Sequence, residues 1–349
     1  MQETIIVFRI GQLGDTLIAM PAMAEIRRKH PTAKLILLTD RYDGKSGYVS
    51  SWDILRPTGW FHNVIFYRPG GGIRGQLNIL ANLRGAFAAF RVKRIYDLSP
   101  DRFRWQRVRD WLIFRAVFGL RDLSNPDAYP LRRSRSYRPL PNLEPEWSRL
   151  LRVVGENSSV KFSFPVSEAT RRSTLTLRST LEIRETDRVI AIAPGSKMQS
   201  KRWPIDRYVS VCRELTRRDP KTKFFVVGGK EDGALGDYLV ENGGVAIRNL
   251  AGKLSLAESA GFLSYCFAYI GNDTGTMHLA AMCGVRCIAI FSARDFPGLW
   301  YPYGEGHCCL RGRIACEGCM LESCIEKKNE CLDLVSVEDV ISAYKDGFA

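Results

Sequence analysis

The stretch that decides the fold runs from Phe267 to Ala281 and reads Phe-Ala-Tyr-Ile-Gly-Asn-Asp-Thr-Gly-Thr-Met-His-Leu-Ala-Ala. Its apolar start, Phe267 to Ile270, predicts a buried strand, and the small residues from Thr274 to Cys283 predict a helix that Gly284 can end. A strand that enters a helix through Asp-Thr-Gly leaves free N–H groups beside the positive end of the helix dipole. The junction therefore favours phosphate binding, with Asp273 as an ordinary helix cap as the alternative.

The rest of the chain alternates short apolar runs with helical patterns. Such alternation predicts right-handed crossovers and parallel sheets, and 349 residues suit two α/β domains. Open parallel sheets bind ligands at the carboxyl ends of their strands, so we expect a cleft between the two halves. A Pro- and Arg-rich segment, 125–145, and a composition shift near 160–175 indicate a linker. The predicted strands are 4–8, 34–38, 63–67, 94–98, 189–193, 223–227, 245–247, 267–270 and 287–291, and the predicted helices are 15–29, 76–90, 104–118, 205–218, 233–242, 256–265, 274–283 and 337–344.

Composition and charge limit the classes of function. With 45% hydrophobic and 25% charged residues, the chain has the balance of a soluble globular protein. The absence of a long apolar run and of a signal-peptide pattern predicts a cytoplasmic protein. The net charge of +14, concentrated in 91–138 with thirteen basic and five acidic residues, predicts an acidic partner. Anionic lipid and a phosphorylated glycan both fit, whereas no nucleic acid is expected because no nucleic-acid-binding signature is present. The basic helix 104–118 suits such a partner or is an ordinary packed helix with a solvated face.

A second candidate site follows the first strand, at Gly11-Gln12-Leu13-Gly14-Asp15. The two glycines allow a tight turn that delivers Asp15 to a helix start. Asp15 as a simple cap is one alternative. A dinucleotide fold is another, because Asp40 ends the second strand, but the glycine spacing departs from G-x-G-x-x-G.

Two loops in the second half also follow predicted strands. In the first, Lys201 can offer a charge to a diphosphate and Ser196 can donate a hydrogen bond. A Lys-Arg-Trp-Pro surface turn is the alternative, and the position at a strand end favours the site. In the second, Gly228 and Gly229 allow close approach of a ring or ribose, and Glu231 can accept hydrogen bonds from ribose hydroxyls.

The ten cysteines fall into two groups. Four lie inside apolar elements and are interpreted as small buried hydrophobes, and six lie in the segment 308–331. Four thiolates in that segment, spaced C-x2-C-x4-C-x6-C, can form a structural zinc site, and reduced, packed cysteines are the equal alternative. The four candidate ligands are Cys316, Cys319, Cys324 and Cys331.

These motifs together resemble glycosyltransferase family 9, the ADP-heptose:lipopolysaccharide heptosyltransferases. The resemblance rests on Asp15 in G-x-x-G-D-x-L, Lys201 in S-K-R-W-P and the stretch 271–281, with F-S-A-R-D at 291–295 and W-Y-P-Y-G at 300–304. It implies a GT-B fold of two Rossmann-like α/β/α domains that face one another across a cleft. Residues 1–165 would bind the acceptor and 166–334 the nucleotide-sugar, and a C-terminal helix, 335–349, would pack back on the N-terminal domain.

The resemblance also implies an inverting transfer of heptose from ADP-heptose to a lipopolysaccharide core or related glycan, with no cofactor or metal required. Asp15 would be the general base, and Lys201 with the backbone of Thr274 and Gly275 would hold the leaving diphosphate. The acceptor, a phosphorylated glycolipid, implies peripheral contact with the inner membrane. Lys197 stands where some members carry a hydroxyl residue, so the identity of the donor stays open. The alternatives are a glycosyltransferase that uses another nucleotide-sugar, a nucleotide-sugar epimerase or hydrolase, and a non-catalytic binding protein. The implied substrate-binding residues are Gly14, Ser196, Lys201, Glu231 (ribose), Leu254 (adenine), Asp273 (sugar hydroxyls), Thr274, Gly275 and His278 (support of the same loop).

Overall fold

The computed structural model describes residues 3–41, 49–67, 81, 83–100, 108, 112–117, 119, 122–124 and 140–348. Two compact units are present: Met1–Arg132 with Glu146–Phe162, and Arg133–Pro145 with Ser163–Ala349. The start of the predicted helix 76–90, most of the basic helix 104–118 and most of the linker 125–145 lie outside the described residues. No helix in the described ranges is long and apolar enough to cross a membrane.

The first unit is built on a five-stranded parallel sheet. Its strands are β1 (Thr4–Phe8), β2 (Lys34–Asp40), β3 (Asn63–Tyr67), β4 (Arg94–Asp97) and β5 (Asp122–Ser124), and its helices include α1 (Leu13–Lys29), α2 (Ser51–Leu55), residues 83–90 and α3 (Glu146–Val153). The strand order is β3-β2-β1-β4-β5, and every pairing is parallel. β1 is buried along its whole length, as expected for a strand covered on both faces. The chain reverses its direction of winding at β1, so the end of β1 is the switch point where such sheets bind ligands.

The second unit contains a six-stranded parallel sheet. Its strands are β6 (Arg188–Ala193), β7 (Thr222–Val226), β8 (Ile247–Asn249), β9 (Ala268–Asn272), β10 (Cys287–Phe291) and β11 (Cys308–Arg311). Its helices are α4 (Glu168–Thr180), α5 (Ile205–Arg218), α6 (Gly233–Gly243), α7 (Leu256–Leu263), α8 (Gly275–Met282), α9 (Glu330–Asp333) and α10 (Val337–Phe348). The order is β11-β10-β9-β6-β7-β8, again with parallel pairings. The switch point of this sheet lies between the ends of β6 and β9, which are neighbours.

Each sheet carries its own hydrophobic core. The second core joins Ile190, Phe224 and Ile270 of the sheet to the buried rings of Trp203 and Tyr208, whose centroids lie 4.9 Å apart in an edge-to-face arrangement. This packing fixes the segment between β6 and α5 on the sheet, and that segment carries Lys201.

Several predicted bounds are confirmed, and some elements were missed. The predicted and observed bounds coincide for β1, β3, β10 and α5. The missed helix α4 is polar and buries only Thr174, so it has no apolar stripe to reveal it. The missed strands β5 and β11 are three and four residues long, and β11 lies half-buried at the sheet edge.

The C-terminal helix α10 packs on the second unit. It contacts α5, β10 and β11 of the second unit. Its apolar residues Val340, Ile341, Ala343 and Tyr344 are buried in the same core as Ile190 and Trp203. Burial of this apolar face against its own sheet is the physical reason for the placement.

Candidate functional site

The Asp-Thr-Gly stretch forms the predicted junction between β9 and α8. Thr274 is the N-cap residue, with extended backbone (φ −147°, ψ 170°), and no side chain caps the helix. The carboxylate of Asp273 does not act as the cap, because it binds Lys201 instead. The first N–H groups of α8 thus remain without a side-chain cap at the switch point of the sheet, which is the arrangement that suits an anion.

Lys201 and Asp273 belong to a cluster of four charged side chains with Arg294 and Asp295, which we call the charged cluster. Lys201 Nζ lies 2.5 Å from Asp273 Oδ2 and 3.7 Å from Asp295 Oδ2, and Arg294 Nη1 lies 2.5 Å from the same Asp295 oxygen. The Lys201 side chain is 12% exposed and that of Asp273 is 7% exposed. Two cations and two carboxylates balance one another, which makes the burial of all four tolerable.

The pKa shifts in this pair identify the firmly charged partner. Burial by itself would lower the pKa of Lys201, but the carboxylates of Asp273 and Asp295 outweigh burial, and the pKa is raised. Burial raises the pKa of Asp273, and Lys201 offsets that effect only in part. The ammonium of Lys201 is therefore the dependable charge of the pair at neutral pH.

Asn272, the last residue of β9, joins this junction to the loop that follows β6. Its Oδ1 accepts hydrogen bonds from Trp203 N (3.2 Å) and Tyr208 Oη (2.9 Å). Its Nδ2 donates to the carbonyls of Pro194 (2.7 Å) and Gly195 (3.3 Å). The side chain is fully buried, and these bonds use both lone pairs and both donors of the amide. The sequence analysis missed this role, although an amide at the end of an apolar strand was the available signal.

The loop that Asn272 holds presents Ser196 and Lys201. Ser196 Oγ accepts the N–H of Met198 at 3.3 Å, which leaves the hydroxyl hydrogen for an outside acceptor. Lys201 closes a single 3-10 turn, Gln199–Lys201, and Ser200 in that turn donates to the carbonyl of Leu321 at 2.6 Å. Two of the predicted diphosphate contacts thus lie on one loop, and Lys201 directly contacts the Asp273 turn.

His278 lies in α8, just after the helix start. It is buried, and burial, with a further contribution from Lys201, lowers the pKa of its imidazole to about 3. The ring is therefore neutral at pH 7. Its Nδ1 has no hydrogen-bond partner within the described part of the chain. A neutral ring behind the helix start fits a supporting role and does not add charge.

The turn after β7 carries Glu231 and, next to it, Asp232. Glu231 is exposed and its carboxylate lies over Gly229, where a Cβ would fall 2.4 Å from Oε2. Asp232 accepts the N–H of Gly229 at 3.0 Å. A Cβ on Gly195 or Gly228 would fall 1.8 Å or 2.3 Å from an Asp232 oxygen. Asp232, which the sequence analysis passed over, therefore fills the space beside Gly228 that was interpreted as room for a ligand.

Leu254 is half-buried and directly precedes Ser255, the N-cap of α7. Ser255 accepts the N–H of Glu258 at 3.2 Å, and Glu258 accepts the N–H of Ser255 at 2.8 Å, which completes a capping box. This cap fixes the backbone beside Leu254. The leucine can therefore offer an apolar contact from a rigid position.

In the first unit, Asp15 lies in the first turn of α1, one residue after Gly14. Its Oδ2 accepts the N–H of Gln12 at 3.0 Å, so the capping interaction is present. The side chain is nevertheless 31% exposed, and Oδ1 lies 4.0 Å from Nη2 of the buried Arg9. Capping and an accessible carboxylate oxygen coexist at this residue.

The neighbouring Asp40 bears on the dinucleotide alternative. Its Oδ1 accepts the N–H of Gly11 at 3.2 Å, and the residue is only 5% exposed. Burial raises the pKa of this carboxyl group. Asp40 therefore fixes the glycine turn from inside and is not presented to a ribose, which removes the main support for that alternative.

The zinc-site interpretation of the cysteine segment is not supported. Cys316, Cys319, Cys324 and Cys331 all lie in described residues and are free. Across the described ranges, no group of three or more His, Cys, Asp or Glu side chains is arranged to hold a metal ion. The segment instead packs on the charged cluster through its backbone: the carbonyls of 320 and 321 accept from Arg294 at 3.0 Å and 2.8 Å.

Comparisons with known proteins identify relatives of this chain. The chain is 24% identical over 174 residues to lipooligosaccharide heptosyltransferase 2 of Campylobacter jejuni, an alignment that covers 49% of this chain and 54% of that protein. The chain thus spans about half the length of the curated relatives that it matches.

Solved structures match over nearly the whole chain. The glycosyl transferase family 9 protein of Veillonella parvula gives a TM-score of 0.71 at 19% identity, with 99% of this chain and 96% of that chain covered. The Escherichia coli ADP-heptose LPS heptosyltransferase II gives 0.62 at 17% identity, with 99% and 98% covered. The predicted fold class, an α/β protein of GT-B type with two parallel sheets, is confirmed.

The family model that describes glycosyltransferase family 9 (heptosyltransferase) matches residues 153–330, which include the loop of Lys201, the Asp-Thr-Gly junction and the charged cluster. The chain belongs to glycosyltransferase family 9.

Proposed function

We propose that the protein is an inverting glycosyltransferase that moves a heptose from ADP-heptose to a lipopolysaccharide core or a related surface glycan. The observation that carries the proposal is the buried ammonium of Lys201 beside the uncapped start of α8, at the switch point of the second sheet. Membership of a family described as heptosyltransferases supports the sugar, and the names of the Campylobacter and Escherichia relatives support the acceptor class and the ADP-linked donor.

The proposed donor site stabilises the leaving group. As the bond between the sugar C1 and the phosphate oxygen breaks, ADP gains negative charge. Lys201, the N–H groups at Thr274 and Gly275 and the hydroxyl of Ser196 are donors that can meet this charge. Asp273 holds the Lys201 side chain before the ligand binds, so less side-chain entropy is lost on binding. In this scheme the protein's own cation and helix start fill the role that a metal ion fills in other transferases.

Asp15 is the proposed general base. A hydroxyl is a weak nucleophile, so a carboxylate must accept its proton as the new bond to C1 forms on the face opposite the leaving phosphate. That geometry inverts the anomeric centre. Asp15 is one-third exposed and is held at a helix start, so one oxygen can reach an acceptor hydroxyl.

The remaining donor contacts follow from the family resemblance. Asp273 Oδ2 is engaged by Lys201, and Oδ1 would accept hydrogen bonds from sugar hydroxyls. Glu231, which is exposed, would bind the ribose, and Leu254 would contact the adenine. His278 would support the turn from behind as a neutral ring.

A glycolipid acceptor would place the reaction at the inner face of the cytoplasmic membrane, with the protein in peripheral contact. The basic stretch 91–138 is the expected source of attraction to phosphorylated acceptor and anionic lipid.

The test is ADP release from ADP-heptose with and without a lipid A–Kdo acceptor. Acceptor-dependent release supports transfer, acceptor-independent turnover would indicate a hydrolase or epimerase, and no turnover would indicate a binding protein. Lys201→Met should lower kcat about 100- to 1,000-fold, in the range for loss of one oxyanion donor. Lys221→Met, at an exposed lysine that directly precedes β7, is the matched control and should stay near wild type. Asp15→Asn should lose transfer, by about 100- to 10,000-fold, yet still bind ADP. An Asp15→Asn variant that transfers normally contradicts the proposed base.

A further inference from the structure

Arg9 is a fully buried arginine at the end of β1, directly inside the turn that carries Asp15. Its exposed fraction is 0%. The guanidinium donates from Nη1 to the carbonyl of Leu98 and from Nη2 to the carbonyl of Asp15. The same Nη2 lies 4.0 Å from Asp15 Oδ1. Arg9 thus contacts both the backbone and the carboxylate end of the proposed base.

Burial of a guanidinium is unfavourable unless charge and hydrogen bonds compensate it. The burial lowers the pKa of Arg9, against the opposing effect of nearby carboxylates. The other carboxylates in its surroundings are engaged elsewhere. Glu146 binds Arg149 through contacts of 2.8 Å and 2.5 Å, and Asp97 accepts the N–H of Ser99 at 3.0 Å. Asp15 is the carboxylate that pairs with Arg9 within 4.0 Å among the described residues.

The other charges around Asp15 make a cation there consequential. Asp40, at the end of β2, is buried and interacts unfavourably with Asp15. Asp97 on β4 and the Glu146–Arg149 pair on α3 complete the charged groups that act on Arg9. A buried cation beside the two carboxylates offsets their mutual repulsion.

Asp15 is also restrained on its other sides. Oδ2 accepts the N–H of Gln12 at 3.0 Å. Gly11 lies against the side chain, since a Cβ there would fall 2.6 Å from Asp15 Cβ. Arg9 contacts both the backbone carbonyl and Oδ1 of Asp15. The side chain of Asp15 is therefore restrained on three sides, and its remaining surface is exposed.

From this arrangement we infer that Arg9 is a positioning residue, which holds Asp15 in one orientation so that its carboxylate can accept the acceptor's proton. The inference rests on the proposed role of Asp15 as general base. Arg9 itself does not touch a substrate in this scheme.

The test compares Arg9→Gln, which keeps hydrogen-bond donors without the charge, with Arg9→Lys, which keeps the charge without the two-pronged contact. Acceptor-dependent ADP release is measured at pH 7. For Arg9→Gln, kcat should fall about ten-fold with the donor KM and the ADP affinity unchanged, because the two-pronged contact to Asp15 is lost. For Arg9→Lys, kcat should also fall about ten-fold, because a single ammonium holds Asp15 less firmly.

Arg149→Lys is the matched control, because Arg149 is an equally buried arginine whose carboxylate partner is Glu146. It should lower stability and leave kcat unchanged. An Arg9→Gln variant with wild-type kcat overturns the inference. If Arg9→Gln does not fold, Arg9→Lys decides, since wild-type kcat in that variant also overturns it. Asp15→Asn separates the two levels: if that variant transfers normally the proposed base is wrong, and if it is inactive while both Arg9 variants behave as wild type, only the role of Arg9 is wrong.

Discussion

Replacement of Asn272 by Asp changes one buried atom and tests how the loop of Lys201 is held. The amide Nδ2 donates to the carbonyls of Pro194 and Gly195 at 2.7 Å and 3.3 Å. In Asn272→Asp an ionised oxygen faces those two carbonyls, while the acceptor side toward Trp203 and Tyr208 is kept. Each lost hydrogen bond costs roughly 0.5–1.5 kcal/mol, and leaving buried polar groups unsatisfied adds roughly 1–3 kcal/mol.

The expected loss is therefore about 3 kcal/mol in the free energy of unfolding at pH 7, taking two lost bonds and one mild penalty. In a unit of this size it lowers the melting temperature by about 6–12 °C. The sign of the pH dependence follows from the site. A carboxyl group that faces carbonyl oxygens in a buried pocket favours its protonated form, so its pKa in the folded state is raised. The variant therefore keeps its stability below the pKa that the new carboxyl group has in the unfolded state, about 3.9, and loses stability as the pH rises through the pKa of that group in the folded state.

The assay is a thermal melt of wild type and Asn272→Asp at pH 5 and pH 8. The deficit of the variant should be smaller at pH 5, because a protonated carboxyl can donate to Pro194 as the amide does. Asn242→Asp, at an exposed amide in the last turn of α6, is the matched control and should change stability by about 0.5 kcal/mol or less. A deficit of equal size at both pH values, or none at pH 8, refutes the role that we assign to Asn272, which is to hold the loop after β6.

Three further outcomes are expected. Gly11→Ala, at φ +117° and with its new Cβ 2.6 Å from Asp15 Cβ, should lower stability by about 1–3 kcal/mol and reduce kcat with ADP affinity unchanged, as measured by melting and titration calorimetry. Burial lowers the pKa of His278 to about 3, so the free energy of unfolding falls by about 1.4 kcal/mol per pH unit as the pH drops below 6.5, where the unfolded state takes up a proton. His278→Gln should flatten this part of the plot of stability against pH. In Gly195→Ala the new Cβ would fall 1.8 Å from Asp232 Oδ1, so the loop must shift and ADP binding should weaken. The double variant Gly195→Ala, Asp232→Ala removes the clash and should partly restore ADP binding.

The architecture was largely predictable from the sequence because buried parallel strands are written as continuous apolar runs. The runs at β1, β3 and β10 gave correct bounds, and the amphipathic pattern of α5 did so as well. Such patterns predict that an element exists, and they do not predict strand order, which depends on packing between distant segments. Helix α4, with one buried residue, lacked the apolar stripe on which prediction depends.

The candidate site was predictable only in part. Lys201 and Asp273 were singled out separately because each follows a strand, and the structure brings them into contact at 2.5 Å. Their mutual pairing was not predictable from spacing, since 72 residues separate Lys201 from Asp273. The zinc interpretation failed because sequence spacing of cysteines says little about the directions of their side chains.

The two units hold their switch points by a common physical device. In each, a buried polar side chain at the end of a central strand makes hydrogen bonds to backbone groups of the adjoining turn: Arg9 to the carbonyls of Leu98 and Asp15, and Asn272 to those of Pro194 and Gly195. A buried polar group without partners is costly, so each side chain tolerates only a turn conformation that satisfies it. The proposed acting groups, Asp15 and Lys201, are then held in a fixed position by these two buried side chains. A polar residue that interrupts the end of an otherwise apolar central strand is therefore a sequence signal for the residue that organises the site, as distinct from the residue that acts in it.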